Sequence, residues 1–144
     1  MMRVKRANLL AVLALASTAL AGAAAAKSVD LKKTKLTCAF DKHCYDGKNM
    51  RILPDRRVDF SQCEDVNIAV TWDPTTSSLD YDGKARQVVS QKVRRRNISV
   101  NFRVGSSFVN FSYGKQNPTL RFRNQPQGSS AITDYYDGTC GVAN

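Results

Sequence analysis

The chain has 144 residues, a formal net charge of +10 at pH 7, four cysteines and 42% hydrophobic residues. This length allows one modest domain, and the chain shows neither internal repeats nor low-complexity tracts after its N-terminal segment. The positive charge favours anionic partners, such as phosphates, polyanionic glycans, membrane headgroups or acidic proteins, and it also keeps a small protein in solution.

The N-terminal segment has the layout of a secretory signal peptide. Arg3, Lys5 and Arg6 form a positive region, an apolar core follows from Leu9 to Ala16, and small residues then continue to Ala26. This order predicts export and cleavage near Ala26. An uncleaved membrane anchor is the alternative, because about 20 residues of this segment are long enough to span a bilayer.

Cleavage divides the chain into a signal peptide, residues 1–26, and a single exported domain, residues 27–144. Three of the 22 basic residues and none of the 12 acidic residues leave with the signal peptide, so the mature domain has 19 basic and 12 acidic residues and a net charge of +7. Because it has no further long apolar run, we expect no transmembrane segment after cleavage.

The exported domain is predicted to consist of short β-strands. Apolar and polar residues alternate with a period of two, which is typical of an antiparallel sheet with one buried face. In chain order, the residues predicted to face inward are Leu36, Cys38 and Phe40; Val66, Ile68, Val70 and Trp72; Ile98, Val100, Phe102 and Val104; and Leu120 and Phe122.

Turn signals separate these strands and indicate the fold class. Asp82-Gly83 predicts a two-residue hairpin, and the Gly-Ser-Ser sequence that starts at Gly105 predicts another tight connection. We expect about seven or eight strands, the last within Asp134–Val142, whereas the charged segment 41–65 is turn-rich. The prediction is an all-β, small antiparallel meander that is barrel-like, with a β-sandwich as the alternative.

The segment Thr37–Cys44 contains two cysteines and the only histidine, so it is the first place to look for chemistry. His43 and Cys44 are adjacent and point to opposite faces of an extended chain, which disfavours both a shared metal ion and a nucleophile–base pair. Four cysteines in an exported protein indicate two disulfides instead.

Three connectivities are possible for the four cysteines. The preferred pairing joins Cys38 to Cys140, tying the first strand to the last, and Cys44 to Cys63, pinning the turn-rich segment between them. Pairing Cys38 with Cys44 and Cys63 with Cys140 is the alternative. We predict no metal and no cofactor.

The cysteine pattern resembles that of many small exported bacterial β proteins. Cys38 and Cys44 lie near the start of the domain, and Gly-Thr-Cys, Gly138 to Cys140, lies near its end. Periplasmic lysozyme inhibitors are similar in size and in their small-barrel style. A domain of charge +7 is nevertheless expected to repel a basic lysozyme.

Enzyme signatures are absent from the sequence. No phosphate-binding glycine loop or Gly-x-Ser-x-Gly motif occurs, and the carboxylate pairs, such as Asp134 with Asp137, lie at turns and strand ends, where aspartate bonds its own backbone. We therefore expect a protein that is not an enzyme.

Arginines form the candidate binding site. Some follow each other directly, and others alternate with inward-facing residues on strands, so they point outward and can form one cationic surface suited to phosphate or sulfate. Outward arginines also protect sheet edges. The predicted anion-binding residues are Arg94, Arg95, Arg96, Arg103, Arg121 and Arg123.

These features predict a non-enzymatic periplasmic or secreted protein. We expect it to bind an anionic or amphipathic cell-envelope partner, or an acidic protein, through a basic surface. The alternative is a carrier of a small apolar ligand with a lipocalin-like barrel interior. Nucleic acid is not an expected partner, because aromatic residues such as Phe102 and Phe122 occupy core positions instead of exposed stacking positions.

Overall fold

The computed structural model describes residues 29–125 and 131–142. The sequence also predicts a turn at Pro126 and Gly128. That turn and the predicted signal peptide lie outside the described residues. Nowhere in the described part of the chain is there a helix long and apolar enough to cross a membrane.

Eleven strands make up the described secondary structure. Nine of them form one antiparallel sheet in the order β6-β5-β4-β1-β11-β10-β9-β8-β7, and β2 and β3 form a separate hairpin. The strands are β1 Leu36–Tyr45, β2 Arg51–Ile52, β3 Val58–Asp59, β4 Glu64–Asp73, β5 Ser78–Tyr81, β6 Lys84–Arg86, β7 Val88–Val93, β8 Ile98–Val104, β9 Ser107–Tyr113, β10 Thr119–Arg123 and β11 Ile132–Val142.

A corner between β6 and β7 curls this sheet toward closure. Only Gln87 separates the two strands along the chain, yet they stand at opposite ends of the sheet order. The chain therefore leaves β5 and joins β8 at this corner, and β6 contacts β8 directly. The Gln91 side-chain amide, on β7, also donates to the Ser77 hydroxyl at 2.9 Å. The predicted all-β, barrel-like fold is thus confirmed, rather than the sandwich.

The predicted inward faces are confirmed in the core. Every strand of the large sheet for which alternation was predicted places those residues in the hydrophobic cluster or packed against it. The core also includes Val109 and Phe111 from β9, Leu79 from β5 and Tyr136 from β11. Alternation with a period of two predicts these faces because every second side chain of a strand packs in the barrel interior.

Side chains fill the barrel interior. Seven residues of the core cluster have 0% of their surface accessible: Cys38, Val70, Trp72, Val100, Phe102, Phe111 and Leu120. A void that admits water would give its lining residues accessible area, so these seven residues enclose none. Aromatic edges close the space between strands, as where the Phe40 and Phe111 rings meet at 6.3 Å with an interplanar angle of 85°.

Both predicted hairpins form. Asp82 and Gly83 have φ values of 50° and 79°, the two left-handed residues that a type I′ turn requires. The connection from β8 to β9 is shorter than expected, because Ser107 already pairs with Val104 and leaves a two-residue loop. Gly105 has a φ of 59° there, a conformation that glycine adopts without strain.

The strand count exceeds the expected seven or eight. Alternation predicts a first strand over Lys35–Phe40, but β1 continues to Tyr45 after a register shift between Phe40 and Lys42. The turn-rich segment 41–65 also contains the small β2–β3 hairpin. Neither feature shows alternation in the sequence, since a bulge breaks the period and the hairpin strands have two residues each.

Both preferred disulfides are present. Cys38 and Cys140 lie directly opposite each other on β1 and β11, and their bridge joins the first and last strands across 102 residues. Cys44 and Cys63 close the segment that contains the β2–β3 hairpin. Two disulfides indicate an oxidising, extracytoplasmic compartment.

Candidate functional site

Three of the six predicted arginines lie on the outer face of the sheet, the surface opposite the core, and the other three lie in the β7–β8 turn. Arg103 projects from β8, and Arg121 and Arg123 project from β10, each at an alternate position to core residues. The predicted cationic surface is not continuous, however, because β9 lies between β8 and β10. Side chains of β9 therefore decide how these arginines are held.

One register row joins Arg103, Phe108 and Arg123. Phe108 lies opposite both arginines, one on each neighbouring strand. The Arg103 guanidinium carbon is 4.4 Å from the centre of the Phe108 ring, a cation–π contact. Phe108 is thus an outward platform for arginine, while Phe111, on the same strand, belongs to the core.

A second row crosses five strands and places Arg121 among neutral polar groups. Its members in order are Ser90, Asn101, Asn110, Arg121 and Tyr135. The Asn110 amide donates to the Asn101 side-chain oxygen at 2.8 Å, and the Asn101 amide donates to the Ser90 hydroxyl at 2.9 Å. The side-chain amides of Asn101 and Asn110, on the strands that precede Arg121 in this row, therefore bond neutral groups.

An aromatic stack supports Arg121 from the other side. Its guanidinium carbon is 5.4 Å from the centre of the Tyr135 ring, and Tyr135 in turn meets the Phe60 ring at 5.6 Å. Phe60 comes from the segment that the Cys44–Cys63 disulfide ties down. The stack fixes the direction of the Arg121 side chain without compensating its charge.

The arginines of this face form no ion pair within the described chain. The Nε atoms of Arg121 and Arg123 are buried and have no hydrogen-bond partner among residues 29–125 and 131–142. None of the arginines predicted as binding residues takes part in the ion pairs formed there. The Nε of Arg86 and the indole nitrogen of Trp72 are buried without a partner in the described chain as well, so this property alone does not identify a site. The absence of an ion pair there leaves the charge of Arg121 available to an anion in the grooves that this residue lines.

Three grooves on the outer face meet at Arg121. The first, of about 380 Å³, runs between the β7–β8 turn and the β9–β10 loop and has no carboxylate in its wall; its cationic members are Lys92, Arg94, Lys115 and Arg121. The second lies toward Arg123 and Asn101. The third, of about 920 Å³, lies under the β2–β3 hairpin. We call the first the basic groove.

The β7–β8 turn directs the three consecutive arginines to different places, and only Arg94 lines the basic groove. The Arg94 amide donates to the Asn97 carbonyl at 2.8 Å and closes the β7–β8 turn, which aims Arg94 into the basic groove. The Arg95 carbonyl accepts the Leu31 amide at 2.9 Å. The side chains of Arg95 and Arg96 are exposed and lie outside the groove wall. The structure therefore brings Arg94, but not its two neighbours, together with Arg121.

Asp137 is the carboxylate that faces the third groove from β11. Burial, followed by the nearby charge of Asp41, raises the pKa of the Asp137 carboxyl. Its ionised form is therefore less favourable in the folded protein than in the unfolded chain. Stability gained from this group is present at low pH and is lost as the pH rises through the raised pKa.

Replacing Asp137 with asparagine should raise the midpoint of thermal unfolding at about pH 7, because the variant has no carboxylate to ionise. At about pH 3 the parent carboxyl is protonated in both states, so the advantage should vanish. Calorimetric scans at the two pH values test this, with Asp80→Asn, an exposed aspartate on β5, as the charge-matched control. A gain that is equal at both pH values, or equal in the control, would contradict the explanation.

His43 and Cys44 face opposite sides of β1, as predicted. Cys44 forms its disulfide, whereas His43 is 5% exposed and stacks on Tyr136 with ring centres 4.1 Å apart. His43 Nε2 lies 2.8 Å from Asp134 Oδ1, and the Thr133 hydroxyl donates to the other Asp134 oxygen. No group of three or more metal-binding side chains occurs among the described residues.

The residues around Arg121 were only partly visible in the sequence. Alternation in the sequence places Asn101 on the same outward face as Arg103 and directs Tyr135 and Tyr136 to opposite faces. In the structure Tyr136 is in the core and Tyr135 lies beside Arg121. The roles of Lys115 and Phe60 could not be found in this way. Both belong to connections whose position depends on pairing between distant strands.

The chain was compared with protein-family models, with curated proteins and with solved structures, and it matches none of them.

Proposed function

We propose that this is a non-enzymatic protein of the periplasm or the external medium that binds a phosphate or sulfate group of an anionic cell-envelope partner at the outer face of its barrel. The observation that carries this proposal is the environment of Arg121. Its guanidinium stacks on Tyr135, its Nε has no hydrogen-bond partner in the described chain, and it stands where three grooves meet.

The chemistry of the basic groove supports a phosphate or sulfate ligand. Arginine presents parallel donors that match two oxygens of such a group, and an orientation fixed in advance reduces the entropy lost on binding. Lys92, Arg94 and Lys115 add positive charge around the same space. The hydroxyls of Ser112 and Thr119, which bond each other at 2.9 Å in the groove wall, supply further polar contacts.

The filled interior favours this proposal over a carrier of apolar ligands. A carrier requires space among the inward side chains, but Trp72, Phe102 and Phe111 have no accessible area. Opening such a space would separate close-packed rings and forfeit their burial. The accessible grooves lie on the outer face, where the unpaired cations are.

Replacing Arg121 with glutamine should weaken binding of inorganic pyrophosphate by at least about tenfold, the effect expected from losing a charge-assisted hydrogen bond. Titration calorimetry at low salt measures this. Lys84→Gln, which removes one positive charge from exposed β6, is the matched control and should change affinity by less than about twofold.

Replacing Arg94, Arg95 and Arg96 together with serine should also weaken binding to anionic surfaces without unfolding the domain. Within this triple variant the loss should come mainly from Arg94, because that residue alone lines the groove. If Arg121→Gln and the triple variant both bind pyrophosphate as well as the parent does, the outer-face site is wrong.

A further inference from the structure

The β2–β3 hairpin presents an exposed apolar turn. All residues from 51 to 57, which we call the hairpin tip, are exposed. Ile52 has 70% of its surface accessible and its neighbour Leu53 has 38%. A single exposed hydrophobic residue is ordinary, but here two of them adjoin Pro54 at the apex of a turn. They form a small, exposed apolar surface, and Ile52 lies at the edge of the third groove.

Backbone hydrogen bonds fix the shape of the tip. The Arg56 amide donates to the Leu53 carbonyl, and the Leu53 amide donates to the Arg57 carbonyl, both at 2.8 Å. Pro54 follows Leu53 in the turn, and Arg56 adopts a left-handed φ of 65°. This is the pattern of a turn with proline at its second position, followed by a left-handed residue. The apolar side chains therefore have a defined location.

The tip is also held away from the barrel core. The Cys44–Cys63 disulfide closes the segment that contains it, and the Met50 amide bonds the Tyr45 carbonyl at 3.1 Å. At the other end of the hairpin, Phe60 packs on Tyr135. These attachments position the base of the hairpin, and Ile52 is exposed in the conformation that they hold.

Positive charge surrounds the apolar apex. The tip contains Arg51, Arg56 and Arg57 against Asp55, a net charge of +2. Asp55 is paired with Arg57, whose Nε lies 2.5 Å from the carboxylate. Asp59 lies across the hairpin from Arg51, and even with it the hairpin from 51 to 59 keeps a net charge of +1. Arg56 has no ion-pair partner among the described residues.

We propose that the hairpin tip docks on an anionic phospholipid membrane surface, with Ile52 and Leu53 in the headgroup layer and Arg51 and Arg56 against lipid phosphates. Apolar residues flanked by arginine match the boundary between acyl chains and charged headgroups. A stable protein interface takes roughly 20 residues from each partner, whereas the hairpin tip has seven. Ile52 and Arg56 also line the third groove, which extends to Arg121, but the membrane contact uses the apolar side chains of the tip and not Arg121.

Partitioning onto vesicles tests the proposal. The disulfide-bonded exported domain should sediment with vesicles that contain phosphatidylglycerol and not with pure phosphatidylcholine. Replacing Ile52 and Leu53 with serine should reduce the partition coefficient at least about tenfold. Removing the charges of Arg51 and Arg56 should reduce it about fivefold for each. Val89→Ser, at a 54% exposed residue on β7, should leave it unchanged.

A tryptophan at the tip gives a second measurement. The only native tryptophan, Trp72, has no accessible area, so its emission is insulated from solvent. Emission from the Ile52→Trp variant should shift to shorter wavelength when phosphatidylglycerol vesicles are added. The proposal is overturned if that emission does not shift, or if the Ile52 and Leu53 serine variant partitions like the parent.

The two proposals fail separately. Pyrophosphate has no apolar part, so its binding reports on Arg121 and should persist in the serine variant at the tip. Vesicle binding by the Arg121→Gln variant should persist in turn, because Ile52 and Leu53 are unaltered. Loss of vesicle binding in that variant, with the tip variant unaffected, would assign the membrane contact to the outer face and overturn the tip proposal.

Discussion

Replacing Cys38 and Cys140 with serine should lower the free energy of unfolding by about 4–5 kcal/mol, the loop-closure value for a bridge that spans 102 residues. The bridge joins β1 to β11, and these two strands bring the start and end of the domain together at the middle of the sheet. Without it, the unfolded chain regains the freedom that the longest covalent loop removes.

Urea unfolding of the double serine variant measures this loss, and the Cys44–Cys63 pair is the internal comparison. That bridge spans 19 residues, so its removal should cost about 3 kcal/mol. The account is contradicted if the shorter bridge proves the more stabilising. Removing Cys44 and Cys63 should also release the hairpin and reduce vesicle binding, whereas removing Cys38 and Cys140 should not.

Replacing Gly138 with alanine should destabilise the protein by roughly 3 kcal/mol or more, at the upper end of overpacking effects. A Cβ atom at this position would overlap the Ala39 carbonyl oxygen and lie 2.7 Å from the Phe40 Cα. Both obstacles are backbone atoms of β1, next to its bulge, so no side-chain rotation relieves them. The strands β1 and β11 would have to move apart.

Gly141→Ala is the matched control on the same strand. There the added Cβ would meet only the Thr37 carbonyl oxygen, at 3.9 Å, an ordinary contact. Its unfolding midpoint should stay near that of the parent, while Gly138→Ala unfolds at lower urea concentration. Equal midpoints for the two variants would show that the close approach of β1 to β11 is relieved at little cost.

Most of the fold could be predicted from the sequence because most of its strands have one buried and one exposed face. Strict alternation at Val66–Trp72 and Ile98–Val104 assigned those strands and their inward residues, and Asp82-Gly83 located a hairpin by backbone conformation alone. The disulfide pairing followed from the expectation that a closed sheet joins its first and last strands. Each of these signals is local or depends on one simple topological idea.

Other features depend on contacts that are distant in the sequence. The bulge near Asp41 reverses the inward–outward alternation along β1. Counting in steps of two from the inward-facing Phe40 therefore assigns His43 and Cys44 to the wrong faces. The corner at Gln87 has no special residue and arises because β6 and β7 pair with different strands. A period-two pattern carries no information about either event.

The candidate site was predictable in composition but not in arrangement. Outward alternation identified Arg103, Arg121 and Arg123, and the basic run identified Arg94. Their grouping depends on strand order, which places Phe108 between Arg103 and Arg123 and the Phe60–Tyr135 stack beside Arg121. The surroundings of each arginine depend on the register between strands that are distant in the sequence. The sequence pattern alone therefore does not show which Nε atoms are buried without a partner.

The most direct test of an anion site at Arg121 is an NMR titration of the ¹⁵N-labelled exported domain with inorganic pyrophosphate, following the arginine Nε–Hε signals. The signal of Arg121 should shift most, together with the backbone amides of Thr119 and Tyr135, because an anion bound to its guanidinium changes the charge around this Nε. An Arg121 signal that stays fixed through the titration, while other signals move or none do, would contradict the account.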